Sequence, residues 1–372
     1  MLTPRPGIMD IAPYRGGDAS LPGQARVIRL ASNESALGPS PLAVRAYRRL
    51  SDELHRYPDG GAEALRAAIA ARHGLPADQI VCGAGSDELI ALLVRAYAGP
   101  GDEVLYSEYG FLMYALAAKG AGATPVAAPE RDLAADIDAL LARVTPRTRI
   151  LLLANPNNPT GALLPAAAVR RLQAGLPPDV LLVLDSAYAE YVGAAGYEDG
   201  AGLVAAHGNV VMLRTFSKIY GLAALRIGWA YAPPAVVDVL HRLRGPFNTA
   251  APAQAAALAA LEDQAHLAAA KAHNDRWLPW FRERVLAAGF AAPPGAGNFL
   301  LVRFPRGAAG DADAAASFLN ARGILPRKLG PYGLGDCLRI TVGREDEMAL
   351  VADALDAFAA IGHDLKRRAA EA

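Results

Sequence analysis

The sequence predicts an α/β fold: a large domain with a mainly parallel sheet flanked by helices, followed by a smaller α+β domain. Three observations carry this expectation. Short apolar runs alternate with helical patterns over 41–246, the rhythm of strand–helix–strand units. Several of those runs, such as 148–153 and 180–184, are apolar without a break, as strands covered by helices on both faces should be. Around Gly245-Pro246-Phe247 the rhythm changes to long helical patterns, which sets a boundary there.

Taken in order, residues 1–40 are rich in Pro and Gly with little periodicity, and read as an arm lying on other parts of the molecule. Helical spacing covers 41–51, 62–73, 87–98, 110–119, 134–143, 165–174 and 200–207. Strand-like runs occupy 103–106, 124–128, 148–153, 180–184, 210–214 and 226–231. Beyond the boundary comes a helical region, 252–289, with Leu258, Leu261, Trp277, Trp280 and Phe281 as core positions. Strands near 297–304 and 337–342 and a helix over 345–362 complete the chain. The expected organisation is an N-terminal arm associated with the small domain and a partner copy (1–40), a large domain (41–246) and a small C-terminal domain (247–372).

A length of 372 residues suits about two domains. Basic and acidic residues both number 37, so the formal net charge is zero, unlike the basic excess of a dedicated nucleic-acid or acidic-membrane binder. Cys82 and Cys337 form no CxxC pair, which favours a reducing compartment. The start lacks a secretory pattern, and no apolar run reaches the ~18–20 residues of a membrane helix. A soluble, cytoplasmic protein is the expectation. The seven histidines are scattered without an HExxH-like pair, so no metal is expected. Only five basic residues are lysines: Lys119, Lys218, Lys271, Lys328 and Lys366.

Four segments place special residues at strand ends, where open α/β sheets bind ligands. Gly83-Ala84-Gly85-Ser86-Asp87-Glu88 enters a helix, and suits either a phosphate held by helix N–H groups or an ordinary capped turn. Asn155-Pro156-Asn157-Asn158-Pro159-Thr160-Gly161 follows an apolar strand and either aims amide side chains or simply turns the chain. Asp185 emerges from a buried strand with Tyr188 three residues on; it is a site carboxylate or a turn cap. Lys218 follows strand 210–214, with Ser217 beside it and Arg226 beyond. Lys218 is a surface charge or a desolvated amine suited to Schiff-base chemistry, and Ser217 with Arg226 could hold a dianionic phosphate. Together the four have one consistent use, in binding pyridoxal phosphate. A carboxylate keeps its ring nitrogen protonated, donors hold its ring hydroxyl, and an amine attaches to it.

NPNNPTG (155–161), the D-x-A-Y of Asp185–Tyr188 and TFSK-x₇-R (215–226) resemble the fold-type I pyridoxal-phosphate aminotransferases. LASNESALGPSP, HRYPDG, GAGSDE, EYGF, LRTFSKIYGLAALRIGW and CLRITVG narrow the resemblance to the histidinol-phosphate aminotransferase family, over about residues 5–360. It implies that Lys218 binds the cofactor covalently, Asp185 pairs with the ring nitrogen, and Asn158 and Tyr188 contact the ring hydroxyl. Tyr109 would stack on the ring. Gly85, Ser86, Ser217 and Arg226 would hold the phosphate, joined by Tyr57 reaching across a homodimer, with Asp87 also among the cofactor-binding residues. Arg327 and Arg339 would bind the substrate's anionic tail, with Asn33 and Tyr14 also on the substrate side. The implied reaction is transamination between histidinol phosphate or imidazole acetol phosphate and glutamate or 2-oxoglutarate. Its partners are these small molecules and a second copy of the chain.

Departures from the family pattern lie on the substrate side: NES at 33–35 where NEN is usual, Arg15-Gly16-Gly17 after Tyr14, and Pro326 before Arg327. An aromatic-amino-acid aminotransferase, or one enzyme serving both pathways, shares the same motifs. A phosphothreonine decarboxylase of related fold and an aminotransferase-like regulator are further alternatives, though the regulator would need a DNA-binding module for which the arm is too short.

Overall fold

The computed structural model describes residues 2–5, 7–11, 13, 20–23, 26–193, 195–305 and 310–371, with side chains described up to 361. Its large sheet has the order β2-β10-β9-β8-β7-β3-β4. These strands are β2 (Ile80–Gly83), β3 (Glu103–Ser107), β4 (Thr124–Ala128), β7 (Thr148–Ala154), β8 (Leu181–Asp185), β9 (Val210–Thr215) and β10 (Gly228–Tyr231). Only β10 runs against its neighbours, so the sheet is mainly parallel, as expected. A short hairpin, β5 (Glu130–Arg131) with β6 (Ala134–Ala135), stands outside it.

Side chains alternate across the sheet and feed two cores. On β8, Leu182 and Leu184 join one core, while Leu181 and Val183 join the other. On β7, Leu151 and Leu153 face the first core, and Ile150 and Leu152 the second. The unbroken apolar runs in the sequence therefore reflect burial on both faces.

Local signals start the helices. In α1 (Pro41–Arg49), Ser40 Oγ accepts from the amides of Leu42 (3.0 Å) and Ala43 (3.5 Å), and Pro41 stands where no helical donor is needed. Helix α3 (Ser86–Tyr97) begins after Gly85 at φ +82°, a backbone state that favours glycine. Beyond α4 (Met113–Ala121), the remaining large-sheet helices are α2 (Glu63–His73), α5 (Ile137–Ala142), α6 (Ala166–Gly175), α7 (Ala201–Ala206) and α8 (Pro234–Leu243).

The helical region expected at 252–289 is two helices, α9 (Ala251–Glu262) and α10 (Gln264–Ala287). Asp263 separates them, its Oδ1 accepting from the His266 amide at 3.1 Å. The expected boundary at 247 moves. Ala253, Ala256, Ala257, Ala260 and Leu261 of α9 pack into the first large-sheet core, as does Ala270 early in α10. Only from Trp277 onward do Phe281 and Val285 enter the small-domain core. The poly-alanine face of α9 is small enough to sit close against the large domain, so the change of sequence rhythm precedes the change of domain.

The small sheet has the order β1-β12-β13-β11, from β1 (Ile28–Leu30), β11 (Phe299–Arg303), β12 (Ile324–Lys328) and β13 (Cys337–Thr341). Strand β1, inside the N-terminal arm, pairs in parallel with β12. Helices α11 (Ala312–Asn320) and α12 (Glu345–Glu371) cover this sheet. Among the described residues no helix is long and apolar enough to cross a membrane, and no cluster of potential metal ligands occurs.

Candidate active site

Because β2, β7, β8 and β9 point the same way, the loops after them converge. They meet the small domain around a cleft with a cavity volume of about 240 Å³. Asp185 ends β8, Asn158 follows β7, Ser86 follows β2, and Ser217 and Lys218 follow β9; all line this cleft.

Asp185 is 6% exposed. Its Oδ2 accepts from the Tyr114 hydroxyl at 2.8 Å, while its buried Oδ1 accepts no hydrogen bond. Burial raises its pKa to about 6, opposed by the Tyr114 hydrogen bond. Lys218 Nζ lies 3.4 Å from the Ser32 carbonyl oxygen and 5.7 Å from the centre of the Tyr188 ring. Burial, then the positive charge of Arg339, brings its pKa down to about 8. The other lysines with described side chains are engaged elsewhere: Lys271 with Asp275 (2.7 Å), Lys328 with Asp313 (2.6 Å), Lys119 with the Asp10 carbonyl (3.4 Å).

Two supports fix the Lys218 loop. Arg214, 4% exposed on β9, pairs with Glu190 (2.8 Å) and Asp199 (2.7 Å). Burial opposes its charge, but the two carboxylates keep it ionised beyond the ordinary arginine range. Gly221, at φ +69°, lies so close to the Gly38 carbonyl that a Cβ would collide with it.

At the other end, Arg226 Nη2 donates to Asp87 Oδ2 (3.1 Å) and Nη1 to Ser217 Oγ (3.3 Å). A Cβ on Gly85 would run into the Arg226 guanidinium, so this glycine lets the guanidinium lie against the start of α3. Gly85, Ser86, Asp87, Ser217 and Arg226 are thus brought together.

Arg327 and Arg339 are cross-strand partners in the β12–β13 pair and both line the cleft. Arg339 is 6% exposed; it donates to Asn158 Oδ1 and, through Nη2, to the Ala31 carbonyl at 2.6 Å.

Three expected residues stand differently, and one cannot be placed. Tyr109 does not line the cleft; it packs against the cluster of Leu301, Leu329, Tyr332, Leu334 and Cys337, and Phe111 lines the cleft instead. Asn33 lines the cleft but is 1% exposed, and donates through Nδ2 to the Tyr188 hydroxyl at 2.8 Å. Its positive φ of 56° turns it inward, where Thr341 and Asn298 hold its backbone. Its side chain meets Tyr188 at the wall of the cleft. Tyr57 is 82% exposed, stacked on Phe247 with ring centroids 4.6 Å apart, outside the cleft of its own chain. Tyr14 lies outside the described residues, as do Arg15, Gly16 and Gly17.

Residues 25–355 match the family model for aminotransferase class I and II. A histidinol-phosphate aminotransferase of Paramagnetospirillum magneticum is 60% identical over 355 residues, covering 95% of this chain and 98% of the relative. One of Rhodospirillum centenum is likewise 60% identical, over 95% and 97% of the two chains. The chain belongs to the histidinol-phosphate aminotransferase family. Among solved structures, the histidinol-phosphate aminotransferase of Sinorhizobium meliloti in complex with pyridoxal-5'-phosphate has a TM-score of 0.83 at 31% identity. It covers 91% of this chain and 92% of its own.

Within this family, the residues that sequence reasoning missed here are Tyr114, Phe111 and Thr341. Tyr114 is 71 positions from Asp185 in the chain, and its only sequence signal is its place near the start of a helix following the EYGF segment.

Proposed function

We propose that the chain transfers an amino group from glutamate to imidazole acetol phosphate, giving histidinol phosphate and 2-oxoglutarate, with pyridoxal phosphate as cofactor in a homodimer. One arrangement carries the reading: the Lys218 amine and the unpartnered oxygen of Asp185 share a cleft with the paired arginines of β12 and β13.

The residues present fit this cofactor. Asp185 Oδ1 is a buried acceptor with no donor of its own, as a protonated ring nitrogen requires. The first turn of α3, the Ser217 hydroxyl and Arg226 offer donors for a phosphate, with Gly85 leaving room for the Arg226 guanidinium beside that turn. Asn158 and Tyr188 would hold the ring hydroxyl. When bound, pyridoxal phosphate supplies an aldehyde that takes up the amino group and a ring that accepts electrons from the substrate's Cα. Lys218 Nζ, its pKa lowered to about 8 chiefly by burial, would take the proton from Cα and deliver it to the carbon that carried the aldehyde. Asp185 keeps a proton on the ring nitrogen. Asn33 holds the Tyr188 hydroxyl in place through its 2.8 Å bond.

Arg327 and Arg339 bind the anionic end of each substrate. Like charges placed opposite each other on adjacent strands repel, and an anion between them removes that cost. A guanidinium fork serves a carboxylate and a phosphate ester alike, which is what successive glutamate and phosphorylated substrates require.

The testing experiment uses purified protein with pyridoxal phosphate and glutamate, offered imidazole acetol phosphate or phenylpyruvate. Higher kcat/KM with imidazole acetol phosphate is expected; a preference for phenylpyruvate makes the chain an aromatic-amino-acid aminotransferase. Lys218→Ala abolishes turnover and the visible band of bound cofactor, and retention of both would refute its assignment.

A further inference from the structure

Asp185 has two oxygens in different circumstances. The alternation along β8 that sends Leu181 and Val183 into the second core sends Asp185 to the same face, where helix α4 packs. There Tyr114, fully buried, meets Oδ2 at 2.8 Å, and Oδ1 is left without a donor. Tyr114 has little freedom to leave. Phe111 meets its ring edge-on at 5.9 Å and Tyr106 at 6.3 Å. Burial and the Asp185 carboxylate hold its hydroxyl well above the ordinary tyrosine range, so it keeps its proton and acts as a donor.

We propose that Tyr114 is a positioning residue for Asp185: its hydroxyl occupies Oδ2, fixes the carboxylate plane and reserves Oδ1 for the cofactor's ring nitrogen. This rests on the pyridoxal-phosphate reading above. The donor does more than aim the group. A hydrogen bond to a carboxylate favours its ionised form, so Tyr114 keeps Asp185 the weaker base of the pair and leaves the shared proton on the ring. Without it the proton moves toward Asp185, and the ring draws electrons less strongly. Binding of the substrate's anion by Arg327 and Arg339 is untouched.

The experiment compares wild type, Tyr114→Phe and Tyr106→Phe as holoenzymes loaded with pyridoxal phosphate labelled with ¹⁵N in its ring. In wild type the ring nitrogen resonates as protonated. Tyr114→Phe shifts it toward the unprotonated position and lowers kcat about tenfold, the scale of one hydrogen bond to a charged group, with KM for glutamate within about twofold. Tyr106→Phe, which removes a neighbouring hydroxyl that does not touch Asp185, changes neither. An unshifted resonance and unchanged kcat in a folded Tyr114→Phe protein would reduce Tyr114 to packing.

Should Tyr114→Phe fail to fold, 3-fluorotyrosine placed at position 114 retains ring and hydroxyl with a stronger donor. It must then leave the ¹⁵N resonance at the protonated position, and a shift toward the unprotonated position overturns the proposal. Failure of the wild-type protein to bind pyridoxal phosphate at all is a separate outcome. It overturns the cofactor reading and, with it, this inference.

Discussion

Asp185 without its cofactor is a buried carboxylate whose pKa is raised to about 6, chiefly by burial. In the unfolded chain it returns to the ordinary range near ~3.9. Between those values the folded chain binds a proton that the unfolded chain releases. Stability therefore falls as pH rises through the window, and the loss is complete above about 6. Lys218 contributes the mirror effect: its pKa is lowered to about 8, so its penalty is full below that pH and fades toward 10.5. Asp185→Asn in the cofactor-free protein is expected to raise the melting temperature at pH 7.5 by a few degrees, on the scale of ~2–4 °C per kcal/mol. The gain disappears near pH 4, while transaminase activity falls more than about a hundredfold, the common trade of stability against function. Scanning fluorimetry across pH 4–8 checks this, and a variant less stable than wild type at every pH would contradict it.

At the scale of elements, the β12–β13 arginine pair makes the sharpest expectation. Arg327→Gln and Arg339→Gln each remove one charged donor from the substrate's anionic end. KM for glutamate and for the phosphorylated substrate should therefore rise together, by about 10–100-fold each, from ~1.5–3 kcal/mol per charged hydrogen bond. Arg327→Gln also removes the cross-strand repulsion between the two guanidinium groups. Arg339→Gln loses its bonds to Asn158 and Ala31 as well and lowers stability. Steady-state kinetics with thermal melts separates the two; a rise in KM for only one substrate would show that the pair does not serve both.

This pair also marks where sequence reading reaches its limit. Strands β7, β8 and β9 were legible because burial on both faces leaves an unbroken apolar run, and each ends in a motif that the parallel sheet gathers at one edge. Lys218, Asp185 and Asn158 stood out for that reason, and the Ser86 turn by its glycines. Strands β1 (IRL) and β12 (ILPRK) are short, carry charge and, in β12, a proline, so no periodicity betrays them. Their pairing is visible only in three dimensions. Tyr114 escaped for a related cause: its partner is set by which face of β8 Asp185 occupies, a matter of packing rather than local pattern. Tyr109 and Asn33 were assigned by resemblance, which transfers a residue's role without the rotamer or backbone state that executes it.

For the whole molecule, α10 spans both cores, with Ala270 in the large domain and Trp277, Phe281 and Val285 in the small one. The cleft lies between these bodies, and the expected second chain bears on its phosphate end. Leu54 is 72% and Tyr57 82% exposed, and Phe247, under the Tyr57 ring, is 46% exposed. The loop holding Tyr57 is tied to the start of α9 by Gln254 Nε2 donating to the Asp59 carbonyl at 2.9 Å. Exposed aromatic surface held this firmly suits a partner protein. The wild-type protein is expected to sediment as a dimer at micromolar concentration. Phe247→Asp places a charge under the Tyr57 ring, gives monomers, and weakens pyridoxal-phosphate binding about tenfold or more. Tyr57→Phe keeps the dimer but loses one hydrogen bond to the neighbour's phosphate, weakening cofactor binding by about 3–10-fold. Sedimentation velocity with cofactor titration reads both effects. Dimers whose cofactor affinity is indifferent to Tyr57→Phe would place Tyr57 in the interface alone, and a monomeric wild type with full affinity would remove the shared site altogether.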